Sequence, residues 1–268
     1  IGVKVETPFL RMTFEEAMEN YGSDAPDIRF ELKLKDISDI ASESELKVFK
    51  EVVEKGGIVK AICVPDGANF SRKDLDDLTE FAQIFGAKGM AWIKKNKEGW
   101  QSPIGKFFNE FQKNKLEERV ALNEGDIVLF CADTPKVVYD TLGNLRKEIA
   151  RRRGLIDESE YRFLWITDFP LFEYSETEKS YTSSHHPFTM PILDDLERFG
   201  EVSPEKIRSR AYDIVLNGVE IGGGSIRIHR EDVQNRVFNL LQLNEEEIES
   251  KFGFLMKALS FGAPPHGG

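Results

Sequence analysis

The stretch 215–230, VLNGVEIGGGSIRIHR, sets a turn dipeptide, an acid, three consecutive glycines and an arginine side by side. Asn-Gly between two alternating apolar runs is the strongest short hairpin signal, because both loop positions favour left-handed backbone. With Asn217-Gly218 as the loop, Leu216 faces Val219, Val215 faces Glu220, and Asp213 faces Gly222. Alternation then puts Asp213, Glu220, Gly222 and Gly224 on one face of the hairpin. Two carboxylates would look over a floor without side chains, where a flat ligand can approach the backbone. Carboxylates there suit a divalent cation that bridges phosphates. The competing reading is a glycine-rich strand against which another backbone packs closely. A phosphate-binding P-loop is excluded, since no Gly-Lys-Ser/Thr follows and the run lies inside strand-like sequence. A dinucleotide fingerprint fails on spacing and context. Arg227 stands an odd number of positions from Glu220, so plain alternation points the two apart. A shared pocket requires an irregular ladder between Gly222 and Ile226, which consecutive glycines make easy.

The second constellation is His185-His186-Pro187-Phe188, which holds two of the four histidines. Adjacent side chains diverge and no Cys or third His stands at ligand spacing, which argues against zinc. Donation to a carboxylate, or hydrogen bonding within the loop, fits better. The net charge of −11 argues against a surface that grips nucleic acid throughout, though not against a local basic patch. The densest patch, NLRKEIARRRG (144–154), ends a helix that starts at Thr134-Pro135. Its Arg151, Arg152 and Arg153 either complement the helix dipole or meet a phosphate backbone. Cys63 and Cys131 lie in apolar runs and read as buried, inert thiols of a reducing compartment. No run is long and apolar enough to span a membrane. The N-terminal IGVKVETPFL has no signal-peptide character, and its missing initiator methionine suggests a processed product or an excised piece.

Along the chain, TFEEAMENYG (13–22) reads as a helix with a capping box at Thr13 and Glu16 and a stop at Gly22. FELKLKDI (30–37) alternates as an edge or half-buried strand. Helices at 43–57 and 71–86 then alternate with strands at 57–64, 89–94 and 125–132, before the basic helix. This forms an α+β unit with its own core. Beyond it come an aromatic strand broken by proline (162–174), a polar loop (175–191), a helix-like SPEKIRSRA (203–211), the hairpin, and two amphipathic helices over 231–261.

Six segments together carry a resemblance: PFLRMTFEEAMENYGSDAPDIRF, IFGAKGMAWIK, LWITDFPLFE, HHPFTMP, AYDIVLNGVEIGGGSIRIH and KFGFLMKALSFGAPPHGG. They resemble the bacterial-type aspartyl-tRNA synthetases, a class II family, in family order over essentially the whole chain. The resemblance implies a mixed, mainly antiparallel sheet with helices, interrupted by a two-layer α+β insertion, the GAD domain. It implies catalytic segments at 1–30 and 156–268 around an insertion at 31–155. His185 would contact substrate aspartate with His186 beside it, and Arg227 would hold the side-chain carboxylate, for which a planar fork is suited. Glu220 and Asp213 would meet ATP through magnesium, with Gly222 and Gly223 in the same ATP site. The implied reaction makes aspartyl-adenylate, releases pyrophosphate and passes the aspartyl group to tRNA(Asp), with no protein nucleophile. Positioning and charge stabilisation carry such chemistry. A cytoplasmic, homodimeric parent is implied. Nothing here matches the family's anticodon-binding domain, its motifs 1 and 2, or the arginine of motif 3. The expectation is therefore a piece of a ligase, inactive alone. A stand-alone tRNA- or protein-binding module and an amide-forming paralogue are the alternatives.

Overall fold

The computed structural model describes residues 5–268 except Glu176, Glu201 and Ala263. Residues 1–4 of the expected first segment thus lie outside the described residues. The chain divides into two compact units, one of residues 1–15 and 163–268, the other Glu16–Arg162.

The chain enters the first unit with β1 (Leu10–Thr13) and passes through α1 (Phe14–Tyr21) into the second. There β2 (Leu34–Asp36), α2 (Ser38–Glu43), α3 (Lys47–Glu54), β3 (Ile58–Val64), α4 (Arg72–Ile84), β4 (Ala91–Asn96), β5 (Gly99–Gln101), α5 (Glu110–Val120), β6 (Ile127–Asp133) and α6 (Pro135–Arg152) follow. The sheet order is β2-β3-β6-β4-β5, and every pairing is antiparallel. Alternation along β3 and β6 decides the layering. Ile62, Val64, Leu129 and Cys131 join one core with residues of α4 and α6. Val59, Ala61, Val128 and Phe130 join another with residues of α2, α3 and α5. Helices cover both faces, so this unit has three layers where two were expected. Its central strands are apolar on both sides for that reason.

The unit also begins earlier and ends later than the expected 31–155. Arg146, 1% exposed, donates to the backbone carbonyls of Asp27, Phe30, Glu31 and Leu32. Its guanidinium lies over the rings of Tyr21 and Phe30. Gly22, at φ +65°, closes α1 against Gly143 of α6, where a Cβ on Gly143 would stand 2.4 Å from the Gly22 carbonyl. Those contacts tie 16–32 to α6. At the other end Arg29 pairs with Glu158 at 2.9 Å. Burial pushes the Cys63 thiol up to about 12 and the Cys131 thiol up to about 11, as inert thiols require.

Back in the first unit come β7 (Phe163–Thr167), β8 (Phe172–Ser175), β9 (Ser180–Ser183), α7 (Leu193–Phe199), β10 (Ala211–Leu216), β11 (Val219–Ile226), α8 (Glu231–Leu240), α9 (Glu245–Leu259) and β12 (His266–Gly267). Its sheet runs β1-β7-β10-β11-β12. Only β1 and β7 are parallel. SPEKIRSRA is not a helix: a single 3₁₀ turn spans Pro204–Lys206. The backbone after it is committed elsewhere, with Leu171 N–H donating to Ile207 O and Ile192 N–H to Arg208 O. The 175–191 loop likewise contains β9, paired with β8.

Candidate functional site

The hairpin forms as its turn dipeptide dictates. Asn217 (φ +52°) and Gly218 (φ +81°) both take left-handed backbone, and Leu216 pairs with Val219 and Val215 with Glu220. The ladder then shifts. Ile214 pairs with Gly222, so Ile221 is an extra residue on β11, and Asp213 stands opposite Gly223. The irregularity expected between Gly222 and Ile226 therefore lies earlier, at Ile221. Its effect on parity is the one required. Beyond the bulge Gly223, Ser225 and Arg227 alternate on the face that Glu220 shares.

Gly223 fixes the arrangement quantitatively. A Cβ there would stand 2.2 Å from Asp213 Oδ1 and 3.3 Å from Glu220 Oε1, so the two carboxylates converge over one residue. A Cβ on Gly222 would instead meet Ile214 Cγ2 at 3.6 Å. Gly222 thus lies on the opposite face from the carboxylates, contrary to the unbulged register. The same shift gives Gly224 the Tyr212 side, where a Cβ would crowd the Tyr212 hydroxyl and His266.

Asp213, Glu220, Gly223 and Gly224 border a cleft of about 200 Å³ together with His185, His186, Ser225 and Arg227. His186 is the hinge of its cationic side. Its Nδ1 accepts from the Phe188 N–H at 3.2 Å, which leaves the ring proton on Nε2. The same Nδ1 lies 3.3 Å from Arg227 Nη1. Burial, then the charge of Arg227 and the neighbouring His185, hold His186 below the usual imidazole range. A neutral His186 can receive an Arg227 N–H and leave the rest of the fork for a ligand. His185 is exposed and sits edge-on to Phe169, ring centroids 5.0 Å apart. The two histidines diverge as adjacent side chains must.

From the other side β12 closes on the strand, Gly267 opposite Ser225 and His266 opposite Ile226. A Cβ on Gly267 would stand 2.4 Å from Arg227 Nε. His266 stacks on Tyr212 and its Nε2 contacts the Tyr212 hydroxyl. Neither Ser225 nor this strand was anticipated. Ser225 was discoverable, being two residues before Arg227 and hence on its face; a two-residue strand at PPHGG carries too short a pattern to read.

Arg151 and Arg152 both pair with Glu148, and Arg153 donates to the Pro65 carbonyl. Among the described residues no group of three or more His, Cys, Asp or Glu side chains could hold a metal alone. No helix among them is long and apolar enough to cross a membrane.

The sequence model for class II tRNA synthetases (D, K and N) matches residues 2–268. The chain belongs to that family. An aspartate–tRNA(Asp/Asn) ligase from Desulfatibacillum aliphaticivorans is 55% identical over 269 residues, covering 100% of this chain and 45% of that protein. An aspartate–tRNA ligase from Staphylococcus carnosus is 50% identical over 268 residues with the same two shares. The chain thus spans less than half the length of the curated relatives it matches. A solved structure, of a putative aspartyl-tRNA synthetase from Leishmania major Friedlin, covers 82% of this chain and 49% of that one at 16% identity and a TM-score of 0.29. The class II part of the resemblance read from six segments is thus a family membership, and the mixed, mainly antiparallel sheet it implied is the architecture observed in the first unit.

Proposed function

We propose that this chain is part of an aspartate–tRNA ligase, with the cleft on β11 as its aspartate and ATP site. The observation that carries the reading is the bulge at Ile221, which sets a carboxylate pair and a braced arginine on one strand face. Arg227 takes the side-chain carboxylate of aspartate through its planar fork. His186 positions that fork, and His185 on the rim contacts the amino acid. An asparagine amide would turn N–H groups toward a donor-only arginine, so the same fork discriminates by charge.

Asp213 and Glu220 supply hard oxygens that converge above Gly223. Magnesium commonly takes one or two carboxylates plus substrate phosphates and waters, so this pair fits it. When bound, the cation supplies charge stabilisation to the phosphates of ATP. The residues of this chain hold the carboxylate, orient it and leave the floor open at Gly223; none acts as a nucleophile. The product of the whole protein would be aspartyl-tRNA(Asp), made in the cytoplasm by a homodimer without membrane attachment. The first unit is read as catalytic segments and the second as the GAD-type insertion. The 268 residues alone are expected not to complete the reaction.

Titration of the chain with L-aspartate and with L-asparagine, followed by nuclear magnetic resonance of the Arg227 and His186 side chains, tests this reading. Aspartate should perturb both side chains and asparagine at similar concentration should perturb neither. Equal responses to the two amino acids would refute the fork assignment.

A further inference from the structure

Ser225 is 3% exposed, and its hydroxyl has no hydrogen-bond partner among the described residues. It lines the same cleft as Arg227. A buried hydroxyl without a partner is costly, and folded chains rarely keep one without a use.

The local geometry removes the ordinary protein partners. Across the ladder Ser225 faces Ala211 on one side and Gly267 on the other, neither with a polar side chain. Along its own face it is flanked by Gly223, which has no side chain, and by Arg227. The Arg227 guanidinium is bonded to His186 and makes no bond to Ser225. The hydroxyl is covered in the free chain while the residue itself borders the cleft, so one turn about the Cα–Cβ bond, between staggered rotamers, is what brings the oxygen to it.

We infer that the Ser225 hydroxyl is a further substrate-binding group, donating to the same carboxylate that Arg227 holds. This rests on the aspartate reading of the cleft. Residues two apart on one strand face lie about 6.5–7 Å apart along the chain, a span that one carboxylate and an extended arginine bridge. A carboxylate has about four acceptor sites and the arginine fork fills two, so a third donor has a place. Ser225 stands two residues nearer the carboxylate pair than Arg227 on the same strand face, so its hydroxyl, turned into the cleft, fixes how deep the ligand carboxylate settles. Ser225 would act as a depth stop and Arg227 as the charge that selects.

The inference separates from a merely structural role by the sign of a stability change. Replacing a hydroxyl that is unpartnered in the free protein, Ser225→Ala, should leave the melting temperature of the ligand-free chain unchanged or raise it. A serine that serves packing or bonds a fixed structural group would make Ser225→Ala lower it. In the same protein, loss of one charge-assisted donor should weaken L-aspartate by about tenfold or more, with the Arg227 and His186 resonances still responding at saturation. A lowered melting temperature without ligand overturns the inference whatever the binding result. Wild-type response with an unchanged Ser225→Ala affinity overturns it too, and leaves the aspartate reading standing. Absence of any wild-type response to aspartate defeats the aspartate reading, and with it the ligand assigned to Ser225.

Discussion

Replacing Gly223 with alanine places a methyl group 2.2 Å from Asp213 Oδ1, 3.2 Å from its Cγ and 3.3 Å from Glu220 Oε1. The backbone at Gly223 is not in the left-handed region, so the conflict is one of space alone. The Asp213 carboxylate must retreat by about 1 Å or more to regain van der Waals separation. A displaced side chain costs about 0.5–1.5 kcal/mol. Alanine regains about 0.5–1 kcal/mol that glycine forfeits in a strand. The two nearly cancel, so stability should change by no more than about 1 kcal/mol, a melting shift of about 2–4 °C or less. Function should not be spared. A magnesium ligand must sit about 2.0–2.1 Å from the ion, and a retreat of half that distance removes it. Affinity for ATP with magnesium should fall by about tenfold or more, at least 1.4 kcal/mol. Gly222→Ala is the internal control, since its methyl meets only Ile214 Cγ2 at an ordinary 3.6 Å. Calorimetric titration with ATP at saturating magnesium, beside thermal melts of both variants, reads the contrast. Equal losses in the two variants, or intact binding in Gly223→Ala, would refute the bulged register as the origin of the carboxylate site.

Three further outcomes follow from the same geometry. His186 is held below the usual imidazole pKa, so below about pH 6.5 the unfolded chain binds a proton that the folded chain does not, and stability falls there. That stability is fully present above the unfolded pKa, and His186→Asn should flatten the decline in urea denaturation between pH 7.5 and 5.5. Arg146→Met removes the donors to four backbone carbonyls and, at about 1–3 kcal/mol for a buried acceptor left unsatisfied, should cost about 3 kcal/mol or more. Hydrogen exchange should place the loss in residues 16–162, and a cost below about 1 kcal/mol would show that 16–32 is held by packing instead. Glutamine at Arg151, Arg152 and Arg153 should leave the retention of tRNA by the chain, and its salt dependence, unchanged, because these side chains serve Glu148 and Pro65 O. A salt slope shallower by about 2–3 would instead mark them as phosphate contacts.

Local signals in the sequence were sufficient wherever the physics is local. Asn217-Gly218 specifies its turn, Gly22 its helix end, and Ser71 its capped helix, where the serine and Asp74 reciprocate as a capping box. The pairing Val215 with Glu220 follows from two-residue loop geometry. The site itself was legible only to parity: Glu220 and Arg227 demanded one irregularity, and three glycines made 222–226 the natural place. With the bulge at Ile221, Gly223, where a Cβ would stand 2.2 Å from Asp213 Oδ1, lies between the carboxylates. Long-range commitments were not legible. SPEKIRSRA has helical composition, yet its backbone bonds to the segments 169–171 and 190–192 on either side. The second helical layer of 16–162 was hidden because α5 has little amphipathic pattern, burying Gln112, Leu116 and Val120 while exposing Phe111. Arg146, which moves the unit boundary, reads in sequence as one more cation of a basic helix.

The central claim is that Arg227, braced by His186 and sharing a face with Glu220, recognises a carboxylate. The most direct measurement is calorimetric titration of L-aspartate into the wild-type chain and into Arg227→Lys. Lysine keeps the charge and loses the fork, so saturable binding in the wild type should weaken by about tenfold or more in the variant. Equal affinity in the two proteins, or no aspartate binding by the wild type, would contradict the account.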